Sequence, residues 1–260
     1  MHTVQLQEVS FRYPTSQNTV IKGLNWSISG SQSIGVIGTN GSGKTTFMKL
    51  LLGLLKPTNG IIHLNGINTK NLSKLKEFVA YLPENAKLIL LGPTIRKDFI
   101  RLGIEEKAIE KIFEKYEIES LADQKLYHLS EGQRRLCAII LLFNLPRKKI
   151  LFIDEPTIGL DRLNRKKFLN AVNEAKNKDQ IVFVSTNDSR ILPHLDHLLV
   201  IEERSILIEG SPKTVLYRLE NETSIIPNQI VRVLKSLNVH KEFTFTTIDE
   251  LNNFIQGKVK

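Results

Sequence analysis

The chain reads as an α/β domain built on a largely parallel sheet, and two observations carry that prediction. Short apolar runs rich in Val, Ile and Phe alternate with longer stretches of helical periodicity, the pattern of parallel strands joined by crossover helices. One of those runs also opens directly into a glycine-rich loop, GTNGSGKTT, which leads into a helical stretch.

Taken in order, TVQLQEVSFRY (3–13) and VIKGLNWSIS (20–29) alternate apolar and polar residues and predict antiparallel strands with one solvated face. SIGVIG (33–38) predicts a buried strand, and TTFMKLLLGLL (45–55) predicts the helix beyond the loop. EGQRRLCAIILLF (131–143) and RLNRKKFLNAVNEAKNK (162–178) predict two more helices. KILFID (149–154), QIVFVS (180–185) and HLLVIE (197–202) predict further buried strands. After Gly210 the pattern changes: SPKTVLYRLEN and PNQIVRVLKSLN predict short helices with Pro212 and Pro227 in or near their first turns.

Composition sets bounds on the whole. At 260 residues, with 41% hydrophobic and 24% charged residues, the chain resembles an ordinary soluble globular protein with ample core. Its longest apolar stretch, LCAIILLFNLP, falls far short of the ~20 residues a membrane span needs. The first residues show no basic segment followed by an apolar core, so no signal peptide is expected. Cys137 is the only cysteine, which excludes an internal disulfide and a multi-cysteine metal site and suits a reducing compartment. The net charge of +9 is spread over scattered lysines without a basic block or interleaved aromatics, so a solvated surface is expected and nucleic acid is not.

The glycine-rich loop carries the chemistry. Gly38, Thr39, Asn40, Gly41, Ser42, Gly43, Lys44, Thr45 and Thr46 fit the G-x-x-x-x-G-K-[ST] pattern between a strand and a helix. Glycines allow the backbone to turn so that successive N–H groups converge on phosphate oxygens at the helix start. Lys44 adds a point charge for the β- and γ-phosphates, and the Thr45 hydroxyl can ligate Mg²⁺. KILFIDEP delivers Asp154 and Glu155 at a strand end, where open α/β sheets bind ligands. Asp154 can hold Mg²⁺ through water, and Glu155 can orient or deprotonate an attacking water. Alone, that carboxylate pair could equally be a turn or a helix cap.

LSEGQRRLCAII (129–140) resembles the signature of ATP-binding-cassette (ABC) ATPases, usually LSGGQ. Ser130 and Gly132 stand at a helix start, offering a hydroxyl and backbone N–H groups to an anion, with Glu131 and Gln133 completing the stretch. The resemblance spreads along the chain. VSFRYP resembles the loop that stacks on adenine, which implies Tyr13 against the base and Phe11 in the strand core. PTIGLD resembles the D-loop, which implies Asp161 at a dimer interface. YLPEN places Glu84 where the family carries a glutamine, and VSTND places Asn187 where it carries a histidine.

The resemblance implies an ABC-ATPase form of the P-loop fold, binding ATP and Mg²⁺. It implies an ATPase body over residues 1–210, with a helical subdomain at about 85–145, and a C-terminal helical extension over 211–260. LGPTIRKDFIRLG (91–103) and IIPNQIVRVLKSLNV…TTIDELNNFI are similar to stretches of energy-coupling-factor (ECF) importer ATPases. That implies a peripheral subunit on the cytoplasmic face of the membrane. It would pair with a second ABC ATPase, identical or different, and with an integral-membrane permease for a vitamin or transition-metal ion. An exporter ATPase, or a soluble regulatory protein with little catalysis, are the alternatives. Glu84 would ligate metal with an added negative charge. Asn187 can donate a hydrogen bond but cannot carry a proton, so from Glu84 and Asn187 together slowed hydrolysis is expected. Asn187 followed by Asp188 after a strand also predicts a helix N-cap.

Overall fold

The computed structural model describes residues 1–223, 225, 229–236 and 245–256. Strands β1 (Thr3–Arg12) and β2 (Thr19–Ser29) run antiparallel. Val4 and Leu6 are buried on β1, and Val9 and Phe11 follow with the opposite parity. The parity changes at a register shift around Glu8, whose φ is 50°. One extra residue there keeps all four side chains on the core face.

After β3 (Ser33–Ile37) comes α1 (Lys44–Leu51), and then β4 (Asn59–Leu64) and β5 (Ile67–Asn68). These last two complete an antiparallel sheet in the order β2-β1-β4-β5. The helix expected over 45–55 ends at Leu51. Gly53 turns the chain with a φ of 71°, and the Gly53 and Leu55 N–H groups donate back to the Leu50 and Lys49 carbonyls. The apolar pattern continues past the helix because Leu52 and Leu55 still pack on the core.

Helix α2 (Leu72–Phe78) leads into β6 (Val79–Leu82). Next, α3 (Ile95–Arg101), α4 (Glu106–Tyr116) and α5 (Glu131–Asn144) form a helical layer, in which Phe99 and Phe113 meet edge-on at 5.0 Å. Strand β7 (Ile150–Asp154), helix α6 (Arg162–Asn177) and strands β8 (Ile181–Ser185), β9 (His197–Glu202) and β10 (Ser205–Gly210) follow. The second sheet has the order β10-β9-β3-β8-β7-β6. Its strands are parallel except β10, which closes one edge antiparallel.

Every residue of β3, β7 and β8 is buried, as a parallel sheet covered on both faces requires. Successive side chains go to opposite faces. Phe152, Phe183 and Ile201 join the core with α1 and the antiparallel sheet. Leu151, Val182 and Val200 join the core with α5 and α6. The carboxyl ends of β3, β7 and β8 therefore emerge side by side between two packed layers.

The chain continues through α7 (Pro212–Glu222), α8 (Gln229–Ser236) and α9 (Ile248–Ile255). Pro212 sits in the first turn of α7, and Ser211 caps that helix by accepting from the Thr214 N–H. Pro227 lies outside the described residues. These helices stay out of the sheets, yet Val215, Leu216, Leu219 and Val231 are buried in the same core as α5.

Phe183 is fully buried, stacked on Phe152 at 4.9 Å and edge-on to Trp26 at 6.2 Å. Replacing it with alanine is expected to lower the unfolding free energy by about 3–5 kcal/mol. Urea denaturation followed by circular dichroism measures this. A loss below about 1 kcal/mol would show that this core does not hold the sheet as described.

Candidate active site

The glycine-rich loop closes on itself at the end of β3. Gly38 has no room for a side chain, because a Cβ there would meet the Ile201 carbonyl oxygen at 2.4 Å and the Ser42 Oγ at 2.3 Å. Gly43, with φ of 107°, turns the chain into α1, and the helix begins with no side-chain cap. Its first N–H groups therefore face out of the helix end without a competing side chain, as an anion site needs. The Ser42 Oγ is buried without a partner among the described residues, an orphan that a phosphate oxygen or water would satisfy.

Lys44 is buried and donates to the Gly38 carbonyl at 2.7 Å and the Thr39 carbonyl at 3.1 Å. Burial pulls its pKa down, with Glu155 and Asp154 opposing. Two residues on, the Thr46 hydroxyl shares a hydrogen bond with the Tyr13 hydroxyl at 3.0 Å. Tyr13 is half-buried, edge-on to Phe11 at 4.8 Å. The structure thus brings Tyr13 to the same loop and leaves Phe11 in the core.

Strand β7 delivers the carboxylates. Asp154 is buried, and its Oδ2 accepts from the Thr45 hydroxyl at 3.4 Å. Glu155 lies in the left-handed region with φ of 46°, a conformation costly for a side chain of this type. That twist lets its carboxylate accept from the Thr186 hydroxyl at 3.1 Å and from the Asn187 backbone N–H. Burial raises the Glu155 pKa, against the Thr186 hydrogen bond and the Lys44 charge.

The N-cap expected of Asn187 is absent. Beyond β8 the chain makes a turn and then a single 3-10 turn over Leu192–His194, so no α-helix starts there. Asp188 organises the turn instead: its N–H donates to the Thr186 hydroxyl, and its carboxylate accepts from the Arg190 N–H and side chain. The same carboxylate meets Arg165 at 3.3 Å and bonds Thr157. Against burial, these hydrogen bonds hold the Asp188 carboxyl below its ordinary range. The Asn187 side chain is exposed, its Nδ2 lying 3.5 Å from the Asn40 Oδ1 in the glycine-rich loop.

Residues 130–133 form the start of α5. Ser130 and Gln133 cap it reciprocally, the Ser130 Oγ accepting from the Gln133 N–H at 3.1 Å and the Gln133 Oε1 from the Ser130 N–H at 2.8 Å. Gly132 packs so closely on Gly159 that a Cβ would meet the Gly159 carbonyl oxygen at 2.3 Å, and Glu131 is exposed beside them. Asp161 caps α6 by accepting from the Asn164 N–H at 2.8 Å. Among the described residues, no hydrogen bond joins this group to residues 38–46. Glu84 is exposed at the end of β6, and it is its carbonyl, rather than its carboxylate, that the structure ties down, through Arg135.

Three residues near this constellation escape the motif reading: Thr186, Asp188 and Arg135. Arg135 carried a signal, because it shares the buried face of α5 with Ile139 and Leu142 at helical spacing, where a charge is out of place.

Residues 21–158 match the family model described as ABC transporter. An energy-coupling factor transporter ATP-binding protein, EcfA2, of Caldanaerobacter subterraneus subsp. tengcongensis is 32% identical over 275 residues, covering 97% of this chain and 96% of that protein. The EcfA protein of Methanocaldococcus jannaschii is 28% identical over 233 residues, covering 85% and 83%. The fold matches cbiO1 from Clostridium perfringens, described as part of the ABC transporter complex cbiONQ. There the TM-score is 0.73 at 23% identity, covering 97% of this chain and 98% of that one. This chain belongs to the ABC transporter family and is one of its ATP-binding, ATP-hydrolysing proteins. Within the family it groups with the energy-coupling-factor type.

The raised Glu155 pKa has a measurable consequence. An ionised Glu155 opposes folding; that cost is absent below the ordinary value of 4.5 and complete once the pH exceeds the raised value. Glu155→Gln should therefore melt higher than the wild type at pH 8 without nucleotide, and the gap should shrink as the pH falls toward 4.5. Thermal melts across that range test it. A variant that melts lower at pH 8, or a gap unchanged with pH, would contradict the burial argument.

Proposed function

We propose that this chain is the peripheral, cytoplasmic-face ATPase subunit of an importer for a micronutrient, a vitamin or a transition-metal ion, and that its own site hydrolyses ATP slowly. The EcfA-type relatives support the importer reading. Among the described residues no helix is long and apolar enough to cross a membrane. In this reading a separate integral-membrane permease subunit supplies the path.

Within the site, residues 38–46 hold the triphosphate through backbone N–H groups and the Lys44 ammonium, and Tyr13 serves the base. Thr45 and Asp154 are the residues for Mg²⁺. A hydroxyl and a carboxylate 3.4 Å apart suit a hard ion that keeps waters and takes further ligands from phosphate. When bound, Mg²⁺ supplies charge neutralisation at the β- and γ-phosphates. Glu84 is the further oxygen donor after β6, and Glu155 is the general base. The Thr186 hydroxyl and Asn187 N–H orient the Glu155 carboxylate. Ser130, Glu131, Gly132, Gln133 and Asp161 serve a second ABC ATPase subunit, identical or different, whose own loop they complete.

One observation carries the slow-site reading. The side chain beyond β8, beside Glu155 and within 3.5 Å of Asn40, is a neutral amide. It can donate to a phosphate oxygen but cannot hold a proton as charge develops there. Losing one preorganised donor of this sort costs roughly a hundred-fold or more in turnover.

Single-turnover hydrolysis by the purified chain tests the proposal. The wild type should be slow, and Asn187→His should be faster by about ten- to a hundred-fold. Wild-type turnover of several per second, on the order of a fully equipped enzyme, would defeat it.

A further inference from the structure

We propose that Arg135 is a positioning residue for hydrolysis: it sets the direction of the Glu155 carboxylate and couples it to the loop after β6 and to helix α5. The inference rests on the role given to Glu155 above. Arg135 is 3% exposed and lies on the second turn of α5, shortly after the Ser130–Gln133 cap. Its Nη1 donates to the Pro83 carbonyl at 2.8 Å and to the Glu84 carbonyl. Its Nη2 donates to the Asp154 carbonyl and to the Glu155 carbonyl at 2.7 Å. One guanidinium thus spans three separate segments of the chain.

The pair of bonds on Nη2 has a specific effect. The Asp154 and Glu155 carbonyls flank the N–Cα bond of Glu155, the bond whose torsion is held at 46°. A donor gripping both carbonyls resists return to the ordinary negative φ, and with it the swing of the side chain away from Thr186. Arginine suits this task because its planar fork presents several donors in fixed directions and accepts none. A lysine ammonium at the same place could not satisfy two pairs of carbonyls on opposite sides.

A purely structural need would be met more cheaply. A buried charge without a carboxylate in direct contact is expensive, and an apolar side chain would fill this face of α5. Here the guanidinium is surrounded by carbonyl dipoles, with Nε left without a partner among the described residues. Asp154, Glu84 and Glu155 supply the compensating field. The geometry therefore favours orientation over packing. It also makes a shift of α5, or of the loop at 83–84, felt at Glu155.

Single-turnover hydrolysis and ATP·Mg²⁺ binding by full-length Arg135→Ala, with and without millimolar guanidinium, test this. The expected result is nucleotide affinity within about threefold of the wild type, a rate lowered by roughly ten- to a hundred-fold, and partial recovery with guanidinium. A damaged fold would lose more stability in guanidinium, not regain rate. Arg135→Lys keeps the charge and stem and should stay slow at an unchanged melting temperature. It decides the matter if the alanine variant does not fold. Wild-type rate in either variant, or joint loss of binding and rate without recovery, would overturn the proposal. Glu155→Gln separates the two readings. If it hydrolyses normally, the role of Glu155 fails; if it is slow while Arg135→Ala is fast, only the positioning role fails.

Discussion

The site depends on burying a lysine ammonium against backbone carbonyls. Among the described residues Lys44 has no carboxylate in hydrogen-bonding contact; the Gly38 and Thr39 carbonyls take its protons instead. To do so the chain must fold back on itself within six residues. That is possible only where Gly38 leaves space against β9 and Gly43 turns into α1. The same fold-back points the free N–H groups at the start of α1 toward one place. A buried cation and uncapped amides together make a place that favours an anion, and Asp154 and Glu155 keep it from being unconditionally positive.

The parallel sheet supplies the rest by register. Asp154 pairs with Ser185 across β7 and β8, and Val36 with Ser185 across β3 and β8, so three strand ends meet at one level. The loop, the carboxylates and the turn at 186–188 converge because each follows one of those ends. Glu155 then pays a local strain that the Ser185 carbonyl, Thr186 and Arg135 jointly offset. Strain of this kind, held by several independent contacts, is how a carboxylate is kept pointing into a cavity it would otherwise leave.

Much of this was legible in the residues. Glycine spacing, the buried strand before it and the carboxylates ending β7 are local features, and local sequence specifies them. The failures came where tertiary contacts decide. Helix α1 stops at Leu51 although apolar residues continue, because Leu52 is buried and Leu55 half-buried by the surrounding core without being helical. Asn187 reads as a cap, but the segment that would follow is drawn into a turn by Asp188, Arg190 and Arg165. Arg135 showed only as a charge at a helical core position. Its partners come from carbonyls 19 to 52 residues away, which no periodicity reveals. The hairpin of β4 and β5 was also overlooked, although Asn65-Gly66 between apolar runs marks its two-residue turn, with φ of 51° and 72°.

In the proposed function, residues 38–46 wrap the triphosphate of ATP with Lys44 at the centre. Isothermal titration of the purified chain with ATP measures this most directly, with and without magnesium, beside Lys44→Ala. Binding should depend on magnesium and weaken by at least about tenfold in the variant, as loss of a charged hydrogen-bond donor requires. No detectable uptake by the wild type, or equal uptake by Lys44→Ala, would contradict it.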